Sequence, residues 1–353
     1  MKTHVYPMIQ AIMAAALFGA SAPLAKLLLG DIAPVPLAAF LYLGSGFGLA
    51  VFMGLRRLSD RSHLEEARIS LGDAPWLAGA LLSGGVAAPI ILMLSLKHTP
   101  AATASLLLNF EGVATTLIAA LVFKEAVGSR VWWAIALITT GSVLLSWDAS
   151  SEWGISLGAV GVLGACALWG IDNNCTRNIS AKDPLAIVTI KGLGAGTFSL
   201  ILALVLRSPM PGLKIAFGAM ALGLFSYGLS VVLFVFSMRG LGAARTSALF
   251  GTAPFVGTAL SFPLFREAPG ALFLLSLPMM MAGAVWLLGE EHGHVHLHGE
   301  TEHEHRHHHD DGHHSHDHVE EIPLNRFHSH WHQHEPLEHD HPHTPDIHHR
   351  HTH

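Results

Sequence analysis

Cysteine is nearly absent: the 353-residue chain has two, Cys166 and Cys175. They fall nine positions apart on one expected helix, about half a turn around it at roughly 100° per residue. No disulfide is expected, and a cysteine-based zinc or iron–sulfur site lacks the ligands to form. Charge is scarce as well, at 13% of residues against 51% hydrophobic, with a mean hydropathy of +0.44. That balance belongs to a chain that lives in lipid. A Walker nucleotide motif, a helix-borne metalloprotease signature and a nucleophile–base pair are also missing. The run Gly192-Leu193-Gly194-Ala195-Gly196 follows no expected strand, so it reads as close helix packing rather than a nucleotide loop. Enzyme chemistry is therefore not expected, and any transport work would draw on an ion gradient.

What is there, over the first 288 residues, is long apolar runs. In a bilayer the backbone must satisfy its hydrogen bonds internally, so runs of about 20 apolar residues read as spanning helices. Ten can be drawn: 8–29, 34–55, 75–96, 101–123, 130–147, 156–177, 184–206, 214–238, 243–265 and 271–289. The first has no small-residue cleavage site and is read as a retained helix. With the N-terminus in the cytoplasm, the inner segments hold Lys2, Arg56, Arg57, Arg61, Arg68, Lys124, Arg130, Arg177, Lys182, Arg239 and Arg245. The outer loops hold only Lys97, Arg207, Lys214 and Arg266. The positive-inside bias thus sets the orientation, and an even number of spans returns the C-terminus to the cytoplasm.

From Glu290 onward the chemistry changes. Fourteen acidic residues face Arg306, Arg326 and Arg350, a balance of −11 with His neutral, which leaves the body at +5. Twenty-four of the 27 histidines lie between His292 and His353. Neutral imidazole is a ready ligand for borderline cations, and alternation such as His292, His294, His296 and His298 lets an extended chain fold back around one ion. Further ligand candidates are His303, His305, His307, His308, His309, His313, His314, His316 and His318. The expected cargo is nickel, cobalt, zinc or copper, with no tightly bound cofactor. The tail cannot bury a core and is expected to be disordered without metal.

An internal repeat organises the body. AATASLLLNFEGVATTLIAALVFKEAVG (101–128) matches AARTSALFGTAPFVGTALSFPLFREAPG (243–270) at an offset of 142. LFGASAPLAK (17–26) is more distantly similar to LWGIDNNCTR (168–177). Five helices per half is an odd number, so the halves would enter the membrane with opposite sense, an arrangement associated with alternating access. The Phe18-Gly19 and Trp169-Gly170 pairs, and Glu125 and Glu267 closing the fourth helix of each half, resemble the EamA-type branch of the drug/metabolite transporter superfamily. This resemblance covers roughly residues 8–289 and implies a ten-helix carrier of small solutes. The His-rich extension is similar to that of nickel and cobalt resistance exporters. The expected division is a first five-helix repeat (1–150), a second (151–289) and the tail (290–353).

Ionisable residues at membrane depth are functional candidates by default. Glu111 lies about eleven residues into the fourth run, near the midplane, and the repeat sets Ala253 opposite it. With Asn109 it is a candidate to coordinate a cation or carry a proton, against the plainer reading of a hydrogen bond tying two helices. Asp172, Asn173 and Asn174 sit in the sixth run, about 7 Å from its inner end, and Lys191 in the seventh, about 10 Å from the same face. These two opposite charges are placed to pair, either to neutralise one another or as an inner gate where a metal competes with ammonium. Cys175 shares a face with Asp172. Met279–Met281 and His98 carry weaker signals, and Lys26 is placed to snorkel.

The expected function is export of divalent transition-metal cations, nickel or cobalt first, across a bacterial inner membrane by proton antiport. The alternative is export of amino acids or other small metabolites, with the tail only buffering or sensing metal. The expected partners are the bilayer and the passenger, with a homodimer left open and no nucleic acid.

Overall fold

The computed structural model describes residues 5–59, 69–124, 127–148, 154–180, 182–241, 243–288, 292–298, 301–307, 328–334 and 337–343. Each of the ten apolar runs is helical. We number them α1 (Val5–Leu28), α2 (Pro34–Ser59), α3 (Leu71–Leu96), α4 (Ala101–Val122), α5 (Ser129–Ser146), α6 (Leu157–Arg177), α7 (Pro184–Val205), α8 (213–241), α9 (243–265) and α10 (Ala271–Leu288). Seven, namely α1 to α5, α7 and α8, are long and apolar enough to cross a membrane. The second stretch of α9, Ala253–Phe265, and Ala271–Trp286 within α10 are apolar but shorter. Helix α6 has the length, at 21 residues, but the Asp172-Asn173-Asn174 triplet lowers its average hydropathy.

Local chemistry sets the boundaries. Ser156 caps α6 by accepting from the Ala159 amide, and the Asp183 carboxylate accepts from the Leu185 and Ala186 amides with Pro184 at the first turn of α7. Helix α1 is interrupted between Gly19 and Ser21, where Pro23 has no amide to offer the Gly19 carbonyl. Helix α4 is broken at Leu108 and Asn109, and α9 at Gly251 and Thr252. At both breaks the turn tightens to three-residue hydrogen bonds, and a side chain takes the same carbonyl: Asn109 Nδ2 donates to Leu106 O and Thr252 Oγ1 to Leu249 O. Both helices end on a left-handed basic residue, Lys124 at φ 56° and Arg266 at φ 52°. Helices α3 and α8 each contain a π-helical segment, Leu81–Ala87 and Leu224–Leu229. The same backbone devices recur 142 or 143 residues apart. By the helix breaks the counterpart of Glu111 is Pro254, one residue from the Ala253 that the sequence match gives.

Packing interleaves the halves. Helix α2 lies along α7 and α5 along α10, while α6 packs on α3 and α4, and α1 packs on α8 and α9. The first helix of each half therefore sits against the third and fourth helices of the other. Glycines mark the closest approach of α2 and α7: a Cβ on Gly46 would lie 2.5 Å from the Leu193 nitrogen, and one on Gly192 would lie 2.7 Å from the Gly46 backbone. Backbones can approach this closely only without side chains between them.

The membrane body is all-α. In the tail, 292–298 pairs antiparallel with 337–343, and 301–307 with 328–334. Residues alternating His-x-His share the period of a strand, which gives the two arms matching repeats to pair.

Candidate functional site

The charged residues of the body converge because α6 crosses onto the first half. Asp172 is buried, at 6% exposure, and its two carboxylate oxygens accept from the Lys191 ammonium of α7 at 2.5 and 2.7 Å. Thr176, one turn further along α6, donates to Oδ1 at 2.9 Å. Asp172 Oδ2 lies against Gly84, where any Cβ would collide with it. One side chain is thus held by an ammonium, a hydroxyl and a backbone gap, each from a different place in the chain.

Gly84 belongs to the π segment of α3, and the register there matters. The Ala88 amide donates to the Ser83 carbonyl, five residues back. The next residue, Pro89, has no amide. The Gly84 carbonyl is therefore without a donor from its own helix, and two side chains supply one: Tyr42 OH at 2.8 Å and Trp169 Nε1 at 3.0 Å. The Tyr42 ring in turn stacks on Tyr227 of the α8 π segment, with centroids 5.7 Å apart and 26° between planes.

Glu111 is the second residue of the second stretch of α4, Phe110–Val122, just past the break. Its Oε1 accepts from Asn173 Nδ2 at 2.9 Å, and Asn173 also donates to Thr115 Oγ1 at 3.1 Å. Glu111 is half-buried and Asn173 lies exposed on the protein surface. The structure brings the candidates into two bonded pairs, Glu111 with Asn173 and Asp172 with Lys191. Asn109 and Asn174 are engaged differently: Asn109 serves the Leu106 carbonyl, and Asn174 Nδ2 donates to the Thr115 and Gly170 carbonyls at 3.0 and 2.8 Å. These amides fasten the backbone where α4 bends and where α6 rests on it.

Elsewhere, Lys26 donates to the Thr99 carbonyl and lies 5.8 Å above the Phe265 ring, so it is tied down rather than extended toward water. Cys166 is buried, with its thiol directed at the Leu107 carbonyl, and Cys175 Sγ lies against Gly79. Among the described residues no three His, Cys, Asp or Glu side chains are grouped to hold a metal ion. Of the tail candidates, His292, His294, His296, His298, His303, His305 and His307 lie on the paired strands. His308, His309, His313, His314, His316 and His318 lie outside the described residues.

The model of the EamA-like transporter family matches this chain twice, over residues 6–147 and 156–289. The chain belongs to that family. It is similar to an uncharacterized transporter from Methanothermobacter thermautotrophicus, 29% identical over 297 residues, covering 80% of this chain and 84% of the relative. A solved crystal structure resembles it with a TM-score of 0.57 at 18% identity, covering 79% of this chain and 95% of the other, a likeness of fold alone. As an EamA-like transporter the protein sits in the lipid bilayer and handles small solutes. The boundary between the two matches, 147 to 156, falls where Trp147 and Ile155 pair in an isolated bridge.

Tyr42, Trp169 as a donor, Thr115, Thr176 and Gly84 belong to the site, although no charge flags them. Pro89, five residues after Gly84, is the one local mark of an orphaned carbonyl.

Proposed function

We propose that this EamA-like transporter is a proton-coupled secondary exporter of a divalent transition-metal cation, nickel or cobalt first. In this reading all ten helices span a bacterial inner membrane as two inverted halves, with both termini in the cytoplasm. The observation that carries it is the Lys191 ammonium seated on both oxygens of Asp172, beside the α4 helix that holds Glu111. A cation already occupies that carboxylate, tethered to the protein, and a free divalent ion is a stronger competitor for the same oxygens.

The histidine tail raises the local concentration of cytosolic metal. The ion displaces Lys191 from Asp172, passes to Glu111 and Asn173, and leaves when Glu111 takes up a proton from the outer side. Asn174 and Asn109 hold the helices that frame this path. A second reading keeps the same path for a small organic solute bearing an ammonium group. It is favoured by the aromatic rings of Tyr42, Trp169 and Tyr227 near the carboxylates, and by the lack of a grouped metal-ligand set among the described residues.

Proteoliposome uptake decides between them, comparing nickel, cobalt, zinc and a panel of amino acids with and without a pH gradient. Metal uptake that depends on the gradient is expected. Uptake of amino acids alone, with every divalent ion ignored, would overturn the metal reading.

A further inference from the structure

The two π segments lie at equivalent places in the repeat, yet only the first leaves a carbonyl that its own helix cannot serve. π-Helical turns inside α-helices recur at functional sites, where the wider turn carries fewer constraints. In α3 the segment Leu81–Ala87 divides the helix into a first stretch, Ala74–Ala80, that packs on α6, and a second, Ala88–Leu96, that also packs on α6 but nearer its start. Gly84 and Gly85 stand together at the centre of the turn. The Gly84 carbonyl is joined to α2 through Tyr42 and to α6 through Trp169, and Gly84 is in direct contact with Asp172.

In α8 the corresponding turn is fastened from within, where the Ser230 hydroxyl donates to the Ser226 carbonyl. No proline follows it at the position matching Pro89, where Val231 stands. Tyr42 touches both turns, bonding the first through its hydroxyl and stacking on Tyr227 of the second through its ring.

We infer that the Gly84 carbonyl is the latch of a hinge in α3, and that Tyr42 is the positioning residue that holds it shut and couples it to the π segment of α8. With the latch made, the Ala74–Ala80 stretch lies on α6 and Asp172 is kept against Gly84. With it broken, that stretch swings about Leu81–Ala87, and Asp172 and its ammonium partner become accessible. The inference does not depend on what the passenger is.

The protein carries its own reporter. Cys175 Sγ lies against Gly79 of the hinged stretch, so the rate at which a maleimide alkylates Cys175 measures opening, read site by site against buried Cys166 by peptide mass spectrometry. Full-length protein in lipid nanodiscs is compared with Tyr42→Phe, Pro89→Ala and the double variant. Tyr42→Phe removes one of two donors to a buried carbonyl while keeping the ring, and is expected to raise the Cys175 rate roughly fivefold. Pro89→Ala restores an amide five residues after Gly84, so it is expected to slow alkylation alone and to return the double variant to the parent rate.

An unchanged rate in Tyr42→Phe would overturn the latch. So would a raised rate that Pro89→Ala fails to reverse, since that would assign the effect to ring packing. If Tyr42→Phe does not fold, Pro89→Ala alone decides: slower alkylation than the parent supports the latch, and an equal or faster rate overturns it. A chain that alkylates as expected yet moves no metal retains the hinge and loses only the metal reading.

Discussion

The two halves of the body share their backbone and differ in their chemistry. Both have a π turn in the third helix, a break in the fourth sealed by a side chain on a carbonyl, and a left-handed basic residue at its end. Among the described residues, Glu111 and Asp172 come together where α6 lies across the first-half helices. Where α4 carries Glu111 at the break, α9 carries Pro254. Where α6 offers Asp172 and two asparagines to α3 and α4, α1 offers Ser21, Ala22 and Pro23 to α8 and α9. Duplicated bends let a bundle move symmetrically, whereas on the proposed reading a charge is needed only where a passenger is held. The scaffold repeats and the paired charges do not.

The sharpest way to break this comparison is to move the charge. Glu111→Gln is expected to bring proteoliposome uptake to background while the protein still purifies as a folded species. Adding Pro254→Glu to that variant is expected to leave uptake at background, and recovery would mean that the halves are chemically interchangeable. Next in size is Asp172→Asn, which leaves the Lys191 ammonium, 16% exposed, without a counter-charge. It should lower the unfolding free energy by about 3 kcal/mol, whereas Asp172→Leu with Lys191→Met should stay within about 1 kcal/mol of the parent. Denaturant titration in detergent reads both.

Smaller still is the contrast between the two π turns. Gly84→Ala pushes a methyl into Asp172 and should cost roughly 1–3 kcal/mol. Gly228→Ala meets only ordinary contacts at 3.5–3.6 Å, and is expected to be neutral within about 0.5 kcal/mol. Equal costs would erase the asymmetry. The smallest effect belongs to the tail: on the proposed metal reading, in which the tail concentrates the ion and the body moves it, ending the chain after Gly289 should lower cellular resistance to nickel or cobalt only in part.

The helices were legible in the sequence because apolar length is a strong signal, and all ten runs are helical within a few residues. The Asp172–Lys191 pair was legible too, since opposite charges on adjacent apolar helices have few other places to go. The interruptions within α1, α4 and α9 were not, because isolated polar residues such as Ser21, Asn109 and Thr252 leave each run apolar on average and do not by themselves mark a break. Nor were the roles of Asn109 and Asn174, which read as ligands from residue type but face carbonyls in three dimensions. Gly84 and Tyr42 stayed hidden for a related reason: an unserved carbonyl exists only once the register of hydrogen bonds is known.

The glycine seam between α2 and α7 has one more consequence. Interdigitated side chains work like gear teeth and resist sliding, but Gly46 and Gly192 present bare main chain to each other. At that spot main chain meets main chain, while Leu43, Met53, Leu185 and Thr189 interlock on either side of it. A bulky residue there has no pocket to enter and would have to wedge the two helices apart.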